Sequence, residues 1–238
     1  YLHCSFILPL HRLFLLLRAI TMKRILRIIF FLTTKIIVLI LLGLRIQHRE
    51  RLPASGAAIL VANHNSHLDT LALLSLFPLS KVQHLRPVAN EQYFLQQSPC
   101  LAWFARHILN IIPVSTEAGN CRENSCHHRN FFKNCAEAIA QNQILILYPE
   151  GTRGAPESLG EFRSGIAHLA KQHPDVPIIP IFLHGLGKSL PKGDFLPIPL
   201  LCWICIGESL YWNGQKQVFL QQLTERIQKL SDDRLISI

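Results

Sequence analysis

"ILVANHNSHLDTLALL", Ile59 to Leu74, decides the fold because it joins two kinds of apolar pattern through one polar loop. Ile59 to Ala62 is an apolar run with the character of a buried strand, and Leu68 to Leu74 is apolar again but leucine-rich and helical. Between them stand two asparagines, two histidines and a serine, with Asp69 just inside the helix. A strand that passes into a helix through a short loop is half of a β-α-β unit. Parallel sheets built from such units carry their chemistry beyond the carboxyl ends of the strands. The polar cluster therefore stands where a site is expected.

The same alternation continues outward along the chain. Residues 57–62 predict a strand, 66–77 a helix, 85–89 a strand, 91–107 an amphipathic helix and 110–114 a strand. "STEAGNCRENSCHH" is expected to be a polar loop. "RNFFKNCAEAIAQ" predicts a helix, "QILILY" a strand, "SGIAHLAKQH" a helix, "PIIPIFLHG" and "LLCWICIG" strands, and 215–231 a terminal helix. The pattern implies an α/β fold with a mostly parallel sheet flanked by helices. It places the αβ domain at 51–238, behind a hydrophobic membrane-anchoring segment at 1–50.

The anchoring segment follows from composition. The chain is 49% hydrophobic and 16% charged, with a formal charge of +9. Its 238 residues suffice for one large core without disulfide or metal staples. Ile28 to Leu44, "IIFFLTTKIIVLILLGL", is interrupted only by Thr33, Thr34 and Lys35, near the lower limit of a membrane span. "FILPLHRLFLLL" before it is broken by Pro9, His11 and Arg12, which suits an interfacial helix. Basic residues flank the long run on both sides: Arg18, Lys23, Arg24 and Arg27 before, Arg45, Arg49 and Arg51 after. A single crossing carries a one-sided bias, so the expectation is a helix pair dipping into one leaflet, monotopic, with its flanks on anionic headgroups and the active domain on the cytoplasmic face. A cleaved signal peptide would need small residues after the apolar run, where "RIQHRERLP" stands instead. Met22 is the single methionine, and the residues ahead of it are expected to be an extension before the start.

The seven cysteines, odd in number and without a regular framework, point to reduced thiols. The positive charge is scattered rather than striped with aromatics, which excludes a nucleic-acid surface and leaves a membrane or a phosphorylated substrate.

His64 and Asp69 are close enough across the start of the helix, with Ser66 as its N-cap, for the carboxylate to curl back to the imidazole. A carboxylate on one ring nitrogen fixes the tautomer, and the other nitrogen can then take a proton from a hydroxyl. His67, only two residues before Asp69, suits a neighbouring polar or capping role. In a chain of twelve histidines this spacing alone also arises by chance. A second motif reduces that weight. "LYPEGTRG", Leu147 to Gly154, leaves a strand through Gly151, which permits a tight turn with open amides. Thr152 follows, and Arg153 supplies a fork-shaped cation for phosphate oxygens. Glu150 is expected to orient Arg153 or a substrate hydroxyl, or merely to cap a helix. "FRSG", Phe162 to Gly165, offers a further cation in Arg163 near a helix start. "VPIIPI", Val176 to Ile181, is an apolar strand with two prolines.

Taken in this order, NHNSHLD, PEGTR, FRSG and VPIIP resemble the glycerolipid acyltransferase family that includes the 1-acylglycerol-3-phosphate acyltransferases, over about residues 45 to 210. The resemblance implies an αβ domain anchored by N-terminal helices. It implies transfer of a fatty acyl group from acyl-CoA or acyl carrier protein to a glycerol hydroxyl of a lysophospholipid. His64 and Asp69 match the family's catalytic pair. Glu150, Gly151, Thr152 and Arg153, with Arg163, match its acceptor-binding segments. No cofactor is implied, and a thioester needs no enzyme nucleophile, so no cysteine is assigned to catalysis. The family's second motif ends in an arginine where this chain has Ser115 and Thr116, so the acceptor is drawn broadly.

Other motifs are set aside. Cys121, Cys126 and His127 or His128 match no common zinc spacing, and no metal is expected. Cys202 and Cys205 form a CxxC within an apolar run, as buried small hydrophobes do. The aromatic residues of 91–107, Tyr93, Phe94, Trp103 and Phe104, fit core packing, or alternatively an acyl groove. An ester hydrolase would need a GxSxG elbow, which is lacking. A non-catalytic lipid-binding protein on the same fold remains the alternative.

Overall fold

The computed structural model describes residues 10–90, 98–114, 121–154, 159–190 and 198–236. Among the described residues seven strands form one sheet: β1 (Arg45–Gln47), β2 (Ala58–Ala62), β3 (Leu85–Asn90), β4 (Ile112–Val114), β5 (Ile144–Leu147), β6 (Ile178–His184) and β7 (Trp203–Ile206). Their order across the sheet is β1-β7-β6-β2-β5-β3-β4, and every pairing is parallel except β6 with β7. The mostly parallel α/β sheet inferred from the alternation is therefore present.

Strand periodicity divides the core into two layers. Ala58, Leu60 and Ala62 of β2 face one side with Ile144 and Ile146 of β5, and Ile179, Ile181 and Leu183 of β6. Ile59, Val61, Leu145, Ile178 and Phe182 face the other. The first side is covered by α1 (Leu10–Leu41) and α2 (Leu68–Ser75), the second by α4 (Cys121–Ala140), α5 (Gly165–Gln172) and α7 (Lys216–Ile236). The short α3 (Pro99–Phe104) and α6 (Leu186–Ser189) fill the connections. β2 is buried at every position, as a strand covered on both faces must be.

The wrapping creates a crevice. After β2 the chain turns to α2 on one face; after β5, its parallel neighbour, it turns to α5 on the opposite face. The two loops part at the carboxyl edge of the sheet, the switch point at which open α/β sheets bind ligands.

Three expectations are corrected. In place of the expected N-terminal helix pair, the described residues hold one continuous helix, α1, over Leu10–Leu41. Leu10 to Leu41 contains neither proline nor glycine, so nothing in it breaks the helix, and Gly43 follows its end. The polar loop at 115–128 is helical from Cys121 onward. Within α4, His128, Arg129 and Asn130 are exposed to solvent, while Cys135, Ala138 and Ile139 reach the sheet, so the apolar stripe is confined to the later turns. Of the helix predicted at 91–107, residues 91–97 lie outside the described residues; the rest begins at Pro99, with α3 running to Phe104, and Ala105–Leu109 continue as a π-turn past the predicted end. Tyr93 and Phe94, and Ser115 and Thr116, lie outside the described residues.

No helix among the described residues is long and apolar enough to cross a membrane. α1 is nevertheless apolar on two sides. Phe31, Thr34, Val38 and Leu42 are buried against the domain, while Ile25, Ile29, Leu32, Ile36 and Ile40 are exposed, Ile40 at 72%. Arg27 helps dock it by donating to the His107 carbonyl at 2.6 Å.

Candidate active site

Both sequence motifs meet in the crevice. His64 lies two residues past the end of β2, and α2 begins at Leu68 rather than at Ser66. The Ser66 hydroxyl still accepts the Leu68 N–H at 3.2 Å and donates to the Leu190 carbonyl at 3.0 Å, so it braces the loop against the end of α6. Asp69, in the first turn, is fully buried. Its Oδ2 accepts the His64 Nδ1–H at 2.9 Å, together with the main-chain N–H groups of Asn65 at 2.7 Å and Ser66 at 2.8 Å. The bond from Nδ1 to the carboxylate fixes the imidazole with its proton on Nδ1, and the two main-chain donors hold the carboxylate in place. Nε2 is then the basic nitrogen, on a ring that is 21% exposed.

Asn63, which the sequence did not single out, extends the sheet past the end of β2. Its Oδ1 accepts the Leu183 N–H at 2.7 Å and its Nδ2 donates to the Leu183 carbonyl at 2.9 Å. This two-point bond ties the loop root to β6.

The second motif begins with a β-turn closed by the Gly151 N–H to the Tyr148 carbonyl at 3.0 Å, with Pro149 at its favoured second position. Gly151 has φ +74°, and a Cβ there would lie 2.5 Å from Arg163 Nε. Glycine is therefore required twice, by the backbone and by the close approach of the Arg163 side chain. The Arg163 N–H bonds to the Pro149 carbonyl at 2.9 Å and carries that residue onto the turn.

Where the sequence points Glu150 at Arg153 or a substrate hydroxyl, the structure turns its buried carboxylate to main-chain amides. Oε1 accepts the His64 N–H at 3.1 Å. Burial pushes the Glu150 carboxyl above its ordinary range, and bonds from the amides of His64 and Gly160 act against that rise. In return the Gly154 N–H donates to the His64 carbonyl at 2.9 Å. The two loops are thus stapled in both directions across the crevice.

Partial burial, then the Arg153 guanidinium and His64, holds the His67 imidazole below its ordinary pKa. The Arg153 charge on the turn after β5 is thus felt at His67 on the loop after β2. Thr152 is exposed on the same turn. The structure therefore gathers His64, Asp69, Glu150, Gly151, Thr152, Arg153 and Arg163 at one edge of the sheet.

An apolar cavity of about 140 Å³ lies between α1 and α2, lined by Phe30, Thr34, Ile37, Val38, Leu68 and Leu71 among others. The other sequence motifs separate from the site. Cys202 and Cys205 face opposite sides of the sheet, as residues an odd number apart on a strand do, and both are buried. Among the described residues no group of three His, Cys, Asp or Glu side chains is placed to hold a metal.

The family model described as Acyltransferase matches residues 43–184, more than half the chain and a segment that contains both motifs. The chloroplastic 1-acyl-sn-glycerol-3-phosphate acyltransferase BAT2 of Brassica napus is 31% identical over 150 residues, which are 63% of this chain and 39% of that protein. The 1-acyl-sn-glycerol-3-phosphate acyltransferase alpha of Ovis aries is 29% identical over 147 residues, 60% of this chain and 46% of its own. The chain thus spans about two fifths to one half of the length of these curated relatives. The crystal structure of the 1-acyl-sn-glycerophosphate acyltransferase PlsC from Thermotoga maritima shares the fold, with a TM-score of 0.64 at 20% identity over 80% of this chain and 71% of that one. By its match to the family model across both motifs, this chain belongs to the acyltransferase family.

Proposed function

We propose that the protein is a membrane-associated O-acyltransferase that moves a fatty acyl group from an acyl thioester, acyl-CoA or acyl carrier protein, to the free glycerol hydroxyl of a lysophospholipid such as 1-acylglycerol-3-phosphate. The observation that carries the reading is the 2.9 Å bond from His64 Nδ1 to Asp69 at the crevice. His64 Nε2 takes the hydroxyl proton as the oxygen attacks the thioester carbonyl. The carbon–sulfur bond then breaks, and the thiolate leaves with the proton that the imidazolium returns. The buried Asp69 carboxylate stabilises that imidazolium.

The Gly151 turn, Thr152, Arg153 and Arg163 would receive the acceptor's headgroup, with guanidinium forks matched to phosphate oxygens. Glu150 holds this cradle in register with His64. The cavity between α1 and α2 would seat an acyl chain, since its lining residue Leu68 adjoins Asp69. The relatives named for 1-acyl-sn-glycerol-3-phosphate support this acceptor class.

The outward apolar side of α1, with Arg18 and Arg24 exposed in its N-terminal half, suits burial in the headgroup and acyl boundary of one leaflet. An exposed isoleucine or leucine gains about 1.5 kcal/mol or more on leaving water, so several in a row make a stable anchor. The reading places the crevice at the membrane surface, on the cytoplasmic face.

Incubation with labelled acyl-CoA and a panel of lysophospholipids tests the function. Transfer to an acceptor is expected. Binding without turnover would favour the lipid-binding alternative, and release of free fatty acid alone would indicate a hydrolase.

A further inference from the structure

The crevice contains a group that the proposed mechanism does not use. Tyr148, the last residue before the Pro149 turn, lies with its ring against the His64 imidazole. The centroids are 4.2 Å apart and the planes are inclined by 21°. Its hydroxyl shares a 2.9 Å hydrogen bond with Thr70 Oγ1. Thr70 directly follows Asp69 in the first turn of α2.

A planar ring on two rotatable bonds needs two restraints. A bond at one edge leaves it free to tilt about that bond, and a flat surface on its face removes the tilt. Here both restraints come from consecutive residues of one helical turn. Asp69 takes the edge of the imidazole directly, and Thr70 takes the hydroxyl of the tyrosine that covers its face. Because Tyr148 also accepts the Gly151 N–H through its carbonyl, the same residue joins the base to the turn after β5.

We propose that Tyr148, anchored by Thr70, is a positioning residue for acyl transfer: its ring face fixes the plane of His64 and stabilises the imidazolium that forms as the hydroxyl proton is taken. The proposal rests on the reading of His64 as the base. A cation on an aromatic face is favoured where water is partly excluded. An uncharged imidazole receives little of that attraction and an imidazolium much more, so the effect falls on the transition state in which the proton is taken and enters kcat rather than KM. Among the described residues, Asp69 meets the ring at Nδ1, Glu150 accepts the His64 main-chain N–H, and the charges of His64 and Arg153 both act on His67.

The test combines kinetics with NMR of the folded protein. In wild type, a carbon-bound proton of the His64 ring should resonate upfield of an ordinary histidine because it lies over the tyrosine face. Tyr148→Leu should lose that shift and about tenfold in kcat, with KM within about twofold. Tyr148→Phe, which keeps the face, should restore both the shift and kcat to within about threefold, and Thr70→Val should fall between the two. An ordinary His64 resonance in wild type overturns the proposal without any variant. So does Tyr148→Leu at full kcat while His64→Ala is inactive, and in that case the base itself stands. An active His64→Ala would remove the base and the positioning role with it.

Discussion

At the scale of single residues, the site is a set of buried polar groups whose bonds are nearly all accounted for. Asp69 Oδ2 serves three donors, so Asp69→Asn would set an amide N–H against donors or leave the imidazole in the other tautomer. Asp69→Asn is expected to lower kcat about 10³-fold with KM little changed, measured by acyl transfer at saturating acceptor. Glu150 gives a pH signature. Its folded-state pKa is raised by burial, so its contribution to stability is full below the ordinary value of 4.5 and is lost as pH rises through the raised value. The stability of wild type relative to Glu150→Gln, measured by urea unfolding, should therefore be greatest below pH 4.5 and decline as pH rises above it. A difference that grows with pH would contradict it. His64 and Asp69 were legible in the sequence because the carboxylate and ring belong to one loop and one turn. The bond from His64 to Glu150 was not, since those residues are far apart in the chain and meet only because β2 and β5 pair. Tyr148 left a fainter signal, an aromatic at a strand's carboxyl end immediately before Pro-Glu-Gly.

At the scale of elements, the strands and helices from 57 to 90 and from 129 onward follow the alternation closely, because strands buried on both faces are continuous apolar runs and helices between them are amphipathic. The misreadings occurred where the sequence lacks a one-sided apolar spacing. The first turns of α4 lack apolar spacing and look like a loop, and α1, apolar on both sides, hides the periodicity that marks a helix face. α4 offers a direct check on its packing. Cys135 is buried against the sheet, and burial pushes its thiol up to about 12. In native protein at pH 8, Cys135, Cys202 and Cys205 should resist alkylation while exposed Cys100 reacts, and unfolding should release all four. Rapid native labelling of Cys135 would mean that α4 does not cover that face.

At the scale of the whole molecule, the sheet order and the opposed wrapping of α2 and α5 place two distant loops side by side. The sequence supports the fold class but not that order, which depends on pairings between remote strands and on β1 joining the edge beside β7. The amphiphilic charge and apolar exposure of α1 belong to this scale as well. Ile29→Lys or Ile36→Lys should weaken binding to vesicles with anionic lipid about tenfold or more, since each removes an apolar contact and adds a charge to be desolvated. Flotation with liposomes would check it, and undiminished binding would show that this side of α1 does not meet lipid.

The most direct measurement is the single-turnover rate at which labelled acyl chain passes from acyl-CoA to 1-acylglycerol-3-phosphate in vesicles, compared between wild type and a folded His64→Ala variant. The account predicts a diacyl product from wild type and a rate at least about 10³-fold lower from the variant. Equal rates from the two proteins would contradict it.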